Sequence, residues 1–292
     1  MKKLLFTQRS DTPHWVGDGF PVRSIFTYHN MAEEISPFLL MDYAGPAVFS
    51  PSTHQRGVGE HPHRGFETVT IVYSGEVEHR DSSGGGGMIT PGDVQWMTAA
   101  SGIIHEEKHS KEFSKTGGEF EMIQLWVNLP RDDKKHPPRY QGIKNETIPV
   151  VKLPDDAGTL RVIAGNYEAT QGPAKTFTPI NLWDLKLKAD SNVRLTLPKG
   201  HTASLFLLSG ELKVGDKRIQ DAEIAIWERD GDTLEFYVSE DSKVLFLGGE
   251  PILEPIVGYG PFVMNTHGEI RQAFLDFESG KMGSFKDVEG TE

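Results

Sequence analysis

The chain has 292 residues, 37% of them hydrophobic and 10% aromatic, which is too apolar for a disordered chain. Thirty basic against forty-two acidic side chains give a formal net charge of -12, which disfavours direct nucleic-acid binding or attachment to an anionic membrane. There is no cysteine, so disulfides, thiolate catalysis and cysteine-ligated zinc or iron–sulfur sites are excluded, and a reducing, cytoplasmic setting fits.

The N-terminal residues 1–9 carry two lysines and an apolar run of only three residues, too short for a signal peptide. No window approaches the eighteen apolar residues of a membrane span, so a soluble chain is expected. Glycine (31) and proline (18) then punctuate short apolar stretches throughout. That rhythm predicts many short strands, among them 68–73, 122–127, 204–208 and 243–247.

Nine of the eleven histidines precede residue 137, and the informative ones cluster in Glu60-His61-Pro62-His63-Arg64-Gly65-Phe66-Glu67. On a strand, residues two apart share a face, so His61 and His63 can present two imidazoles side by side. His105 and Glu107 repeat the same spacing. Two such pairs on neighbouring strands would converge as three imidazoles and one carboxylate, a set suited to iron, manganese, nickel, copper or zinc. Four protein ligands on an octahedral ion leave two open positions. Glu67 shares the parity of His61 and His63 but lies about 13 Å along a regular strand from His63. It would need a bulge to reach the same ion, so geometry favours Glu107. Glu60 and Glu106 have the opposite parity and are expected to face solvent.

Between the two pairs, the glycine-rich stretch 82–87 has no helix signal after it and is read as a hairpin loop. Phe66, Trp96, Met97, Met122 and Trp126 are read as core. Met122 and Gln124 are also candidates for a pocket beside the metal. Arg64 is expected to pair with a nearby acid, and the roles of His79 and His109 are left open. The charged, proline-rich segment 130–138 is unsuited to a central strand. It sets the expected boundary between a metal-binding domain, 1–135, and a second domain, 136–292.

The two halves look weakly repeated. Aligning Ser74-Gly75-Glu76 with Ser209-Gly210-Glu211 places Arg64-Gly65 on Lys199-Gly200, and Pro91-Gly92-Asp93 resembles Asp221-Ala222-Glu223 a few residues further on. The fold expected is all-β, with two similar barrels derived from one unit. Thr196 and Pro198 then replace the first histidine pair, and His201 stands alone as a turn residue. The second barrel is left as scaffold or partner surface. One helix is expected near the C-terminus. Thr266 and Glu269 have the spacing of a capping box, Ile270, Phe274 and Phe277 recur at helical intervals, and Gly280 closes it.

The segments 61–84 (HPHRGFETVTIVYSGEVEHRDSSG) and 91–107 (PGDVQWMTAASGIIHEE) resemble the pirin family of the cupin superfamily. So do 38–42, 124–129 and 258–266, and together these motifs run over most of the chain. The resemblance implies two stacked β-sandwich barrels (a bicupin) with a single metal in the N-terminal one. It carries the family's ligands onto His61, His63, His105 and Glu107, with Fe(II) as first choice, and puts Glu67 where many other cupins place their carboxylate. It implies a quercetin 2,3-dioxygenase activity on a flavonol and dioxygen with release of carbon monoxide, Glu107 acting as general base. The alternative it implies is an iron-binding redox sensor acting through a protein partner, a transcription factor or a metabolic enzyme. A metal-loaded structural protein without substrate is a third reading. Nothing singles out an oligomer interface, so a monomer is the default.

Overall fold

The computed structural model describes residues 1–285. The chain divides into two compact units, each assembled from separated stretches. One comprises Thr12–Phe26, Phe38–Asn145 and Ile252–Glu292; the other comprises Met1–Asp11, Thr27–Pro37 and Glu146–Pro251. This differs from a single cut at 135. The internal boundary lies ten residues later, and the terminal segments are exchanged between the units.

In the histidine-bearing unit, a seven-stranded antiparallel sheet faces a four-stranded one. The larger runs in the order Arg139–Ile143, Val94–Thr98, Phe66–Ser74, Gly118–Asn128, Phe38–Phe49, Phe20–Thr27 and His14–Val16. The smaller runs Gly57–His63, Ile103–His109, Val77–Asp81 and Gly86–Ile89. Side chains from both sheets build one apolar cluster: Phe20, Val22, Ala44, Val72, Phe120 and Met122 meet Val77 and Ile89. The strands alternate or run continuously apolar because their inner faces are covered by the opposite sheet.

The second unit repeats the plan. Its seven-stranded sheet runs Leu4–Arg9, Glu223–Trp227, Thr202–Ser209, Ser242–Gly249, Ile180–Leu187, Gly158–Ala164 and Val150–Lys152. Its four-stranded sheet runs Ser191–Thr196, Thr233–Val238, Leu212–Val214 and Lys217–Ile219. Trp183 stacks on Phe246 at 4.6 Å in a core that includes Leu195, Leu205, Leu212 and Leu234.

The repeat is visible in the backbone. Gly65 (φ 91°) matches Gly200 (φ 78°), Gly75 (φ 79°) matches Gly210 (φ 102°), and Gly92 (φ 89°) matches Ala222 (φ 58°). The first two pairs fall where the sequence register put them and the third at the resemblance beyond it, each with left-handed backbone.

The C-terminal helix spans His267–Glu278, with the Thr266 hydroxyl accepting from the Glu269 amide. Its buried face is Ile270 and Ala273, with Phe274 packed alongside. Phe277 is 37% exposed, contrary to the helical repeat expected of it. Asp276 is turned inward instead, because it is paired with Arg64 at 2.6 Å. Two further short helices, Tyr28–Ile35 and Lys111–Thr116, were not expected.

Candidate metal centre

The strand Gly57–His63 pairs antiparallel with Ile103–His109, and His61 lies directly opposite His105. A register shift follows between His105 and Glu107, where the partner steps from His61 to Val58. The bulge sought for Glu67 is therefore spent on this pair of strands. His61, His63 and His105 each place a ring nitrogen within 4.8 Å of the others. Their ring centroids are 4.2 Å apart for His61 and His105, and 4.9 Å for His63 with either neighbour.

The free nitrogens can be assigned by hydrogen bonding. A carbonyl only accepts, so a ring nitrogen bonded to one must carry the proton. His61 Nδ1 donates to the Gly59 carbonyl at 2.8 Å, and His63 Nδ1 to the Pro261 carbonyl at 3.3 Å. In a neutral ring so bonded, Nε2 is the unprotonated nitrogen. The Nε2 of His105 is buried with no hydrogen-bond partner among the described residues. An orphaned buried nitrogen beside two free ones is a donor set for a cation.

Burial keeps the imidazoles of His63 and His105 neutral. His63 falls to about 3, first through burial and then through His61, against the Pro261 hydrogen bond. His105 is pushed well below its ordinary value by burial and by His63, His61 and His79. His61 is only partly buried, so the set reaches solvent on that side.

Glu107 approaches from the same face of its strand as His105. It does not complete the tight group of three; it groups instead with His105 and His79. Its carboxylate accepts from Thr70 Oγ1 at 3.1 Å, from Gln95 Nε2 at 3.3 Å and from Gln124 Nε2 at 3.2 Å. Those three lie in one row across the large sheet, Gln124 opposite Thr70 and Thr70 opposite Gln95. Sequence reasoning singled out only Gln124. The available signal was three uncharged polar residues in the middle of otherwise apolar strands. Met122 packs into the apolar cluster of the unit, so of the two pocket candidates only Gln124 is bonded to a candidate ligand.

Glu67 is separated from the histidine pair by more than distance. The chain crosses from the small sheet to the large one at Gly65, so strand parity does not carry through. Glu67 is buried and accepts from Thr98 Oγ1 at 2.6 Å. Burial raises it to about 7, with the Thr98 hydrogen bond opposing. Glu60 is exposed as expected, but Glu106 is largely covered. It is held by Arg80 and by Lys108, which is 2.7 Å away.

Phe66 stacks on Trp126 at 4.2 Å, and His63 meets both rings edge-on at 5.1 and 5.3 Å. An apolar aromatic wall therefore stands beside the nitrogens. His109 is also buried, but it belongs elsewhere. It donates to the Gly19 carbonyl at 2.9 Å among Phe20, Phe49, Phe113 and Phe120. Arg64 pairs with an acid as expected, namely Asp276.

Comparison with known proteins agrees with this architecture. Residues 19–127 match the family model described as Pirin, and residues 182–283 match the Pirin C-terminal cupin domain. The chain is 59% identical over 281 residues to a Pseudomonas aeruginosa protein provisionally named a quercetin 2,3-dioxygenase, covering 96% of this chain and 98% of that one. It is 38% identical over 258 residues to the pirin of Mus musculus, covering 86% and 84%. A crystal structure of quercetin 2,3-dioxygenase from Acinetobacter baumannii superposes with a TM-score of 0.94 at 53% identity, covering 97% of this chain and 99% of that one. No helix among the described residues is long and apolar enough to cross a membrane.

Proposed function

Because the chain belongs to the pirin family of cupin proteins, we propose that it is a metal-dependent dioxygenase that opens flavonols of the quercetin type with dioxygen and releases carbon monoxide. One observation carries the reading: three imidazoles converge beside a carboxylate held by the uncharged donors Thr70, Gln95 and Gln124. His61, His63 and His105, with Glu107 as the fourth group, would hold a first-row divalent ion, Fe(II) being our preference. The chemistry such an ion supplies is Lewis-acid polarisation of the substrate's enolic oxygen.

The rest is the work of the chain. Glu107 accepts the proton of the flavonol 3-hydroxyl as general base. Thr70, Gln95 and Gln124 aim its carboxylate without neutralising it, since none of them is charged. Trp126, partly exposed and backed by the buried Phe66, offers a flat apolar face to the aromatic rings of the substrate. The names of the Pseudomonas and Acinetobacter relatives support the same substrate class.

The test is aerobic quercetin turnover by protein reconstituted with Fe(II) under anaerobic conditions, assaying carbon monoxide and the ring-opened product. His63→Ala is the control. Turnover that vanishes in the control is expected. No turnover by protein that still holds one ion per chain would contradict the proposal. It would favour instead an iron-dependent redox sensor acting on a protein partner.

A further inference from the structure

The strand Val77–Asp81 pairs with Ile103–His109 so that Glu107 lies opposite His79 and His105 opposite Asp81. Neither His79 nor Asp81 is accounted for by the ligand set, yet both side chains are wholly shielded from solvent. His79 Nε2 is 3.1 Å from Asp81 Oδ2, and His79 Nδ1 is 3.4 Å from His105 Nδ1.

Two nitrogens that face each other need one donor and one acceptor. Asp81 Oδ1 accepts from the Ser83 amide, the Ser83 hydroxyl and the Gly85 amide, so the donors around the carboxyl belong to its neighbours. Asp81 is then a carboxylate that only accepts, so His79 Nε2 carries a proton. A proton on His105 Nε2 would meet no acceptor, whereas one on His105 Nδ1 meets His79 Nδ1, so His79 Nδ1 is the acceptor of the pair. The proton between the two rings sits on His105 Nδ1, which leaves the lone pair of His105 on Nε2. That is the nitrogen with no hydrogen-bond partner, beside His61 and His63.

We infer that Asp81 and His79 are positioning residues that fix the tautomer of His105 and so make it competent to bind a metal. The inference rests on the reading of His105 as a ligand. It also gives the grouping of His79, His105 and Glu107 a role other than a second metal position: two of its nitrogens are already committed to each other.

The surroundings hold the relay in place. Asp81 divides its two oxygens between two tasks. Oδ2 takes His79, while Oδ1 accepts from the Ser83 amide at 2.8 Å, the Ser83 hydroxyl at 2.6 Å and the Gly85 amide at 3.0 Å. The glycine-rich hairpin is thus the anchor of the carboxylate. A Cβ on Gly85 would come within 2.5 Å of Asp81 Oδ2 and 2.7 Å of Tyr140 Cβ. Tyr140 stacks on the His79 ring at 5.1 Å with 15° between the planes, which fixes the ring's orientation. Loss of a hydrogen-bond partner behind a ligating histidine typically weakens metal binding by about 10–100-fold.

Two measurements test this, and neither uses turnover. Nitrogen-15 NMR of the metal-free protein reads the His105 tautomer directly. The Nδ1-protonated form is expected in the wild type. An Nε2-protonated His105 would overturn the inference even if quercetin turnover were found. Ni(II) titration then compares variants. His79→Leu, which cannot accept, is expected to bind about 10–100-fold more weakly. His79→Asn restores an acceptor near the Nδ1 position and is expected to recover most of that loss. Wild-type affinity in His79→Leu would contradict the relay, and so would equal weakening in both variants. If His79→Leu does not fold, the tautomer in the wild type and the affinity of His79→Asn still decide. Failure of the wild type to bind Ni(II) would remove the ligand reading, and with it the proposed role of the relay.

Discussion

Two units of this chain share one plan, a seven-stranded sheet facing a four-stranded one, and among the described residues only one of them holds side chains grouped so that they could bind a metal. The backbone turns that frame the site are kept in both, down to the left-handed residues at Gly65 and Gly200. What differs is where the strand ends. In the first unit, His61 and His63 lie on the ladder with Ile103–His109. In the second, the matching strand stops at Thr196, so Pro198, the counterpart of His63, is beyond it. The neighbouring strand, Thr233–Val238, offers no histidine. Thr196, Pro198 and His201 instead line a hollow of about 720 Å³ with Asn166, Asn181 and Gln171, without a carboxylate among its lining residues. Scaffold and site are therefore separable: the second unit keeps the sheet plan without the candidate ligands.

The comparison can be broken most severely at the ligands. His63→Ala should weaken Ni(II) binding by more than about 100-fold, because it removes a ligand rather than a supporting partner. His201→Ala should leave affinity and stoichiometry untouched. Calorimetric titration of both variants checks this. Next in size, Glu107→Gln should lower quercetin turnover by about 10²–10⁴-fold, the range for loss of a general base, with a much smaller loss of metal. Equal losses in the two would make Glu107 a structural ligand only.

The paired glycines give a smaller but sharper contrast. A Cβ at Gly65 would meet the Val263 carbonyl at 1.9 Å, whereas nothing lies within 4 Å of one at Gly200. Gly200→Ala should cost about 1 kcal/mol, the strain of positive φ alone. Gly65→Ala should cost about 3 kcal/mol or more, since backbone must also move. Urea unfolding of the two variants reads the difference.

Smaller still is a pH effect at Glu67, whose folded value is raised to about 7 by burial. A raised value means the folded state holds the proton more tightly than the unfolded chain. The stabilisation it gives is complete below about 4.5 and is lost as pH rises towards 7. Relative to Glu67→Gln, the wild type should lose up to about 3 kcal/mol over that range, measurable by unfolding at several pH values. The least effect is expected from a graft. Thr196→His with Pro198→His should bind no additional Ni(II), because the strand that would present the pair ends too early and faces no second pair.

The grouping of the candidate ligands was legible because strand period is a local property. His61 with His63, and His105 with Glu107, each share a face whatever the rest of the chain does. His79 and His109 look alike in sequence and differ through hydrogen-bond partners 26 and 90 residues away, the His105 ring and the Gly19 carbonyl. The exchange of termini between units was hidden for the same reason: Leu4–Arg9 pairs with Glu223–Trp227 across most of the chain. The unexpected helices gave weak local signals. Lys111–Thr116 is capped by Ser110 but is only six residues long. Tyr28–Ile35 has no side-chain cap and a non-helical Met31. Glu106 was misplaced because parity reports which face a residue takes, and not whether Arg80 and Lys108 cover that face.

The most direct test of the central claim is the anomalous scattering of crystals of the full chain grown with Ni(II). One peak per chain is expected, beside Nε2 of His61, His63 and His105 and accompanied by no peak near His201. A peak in the second unit, or a Ni(II) ion bound without those three nitrogens, would contradict the account.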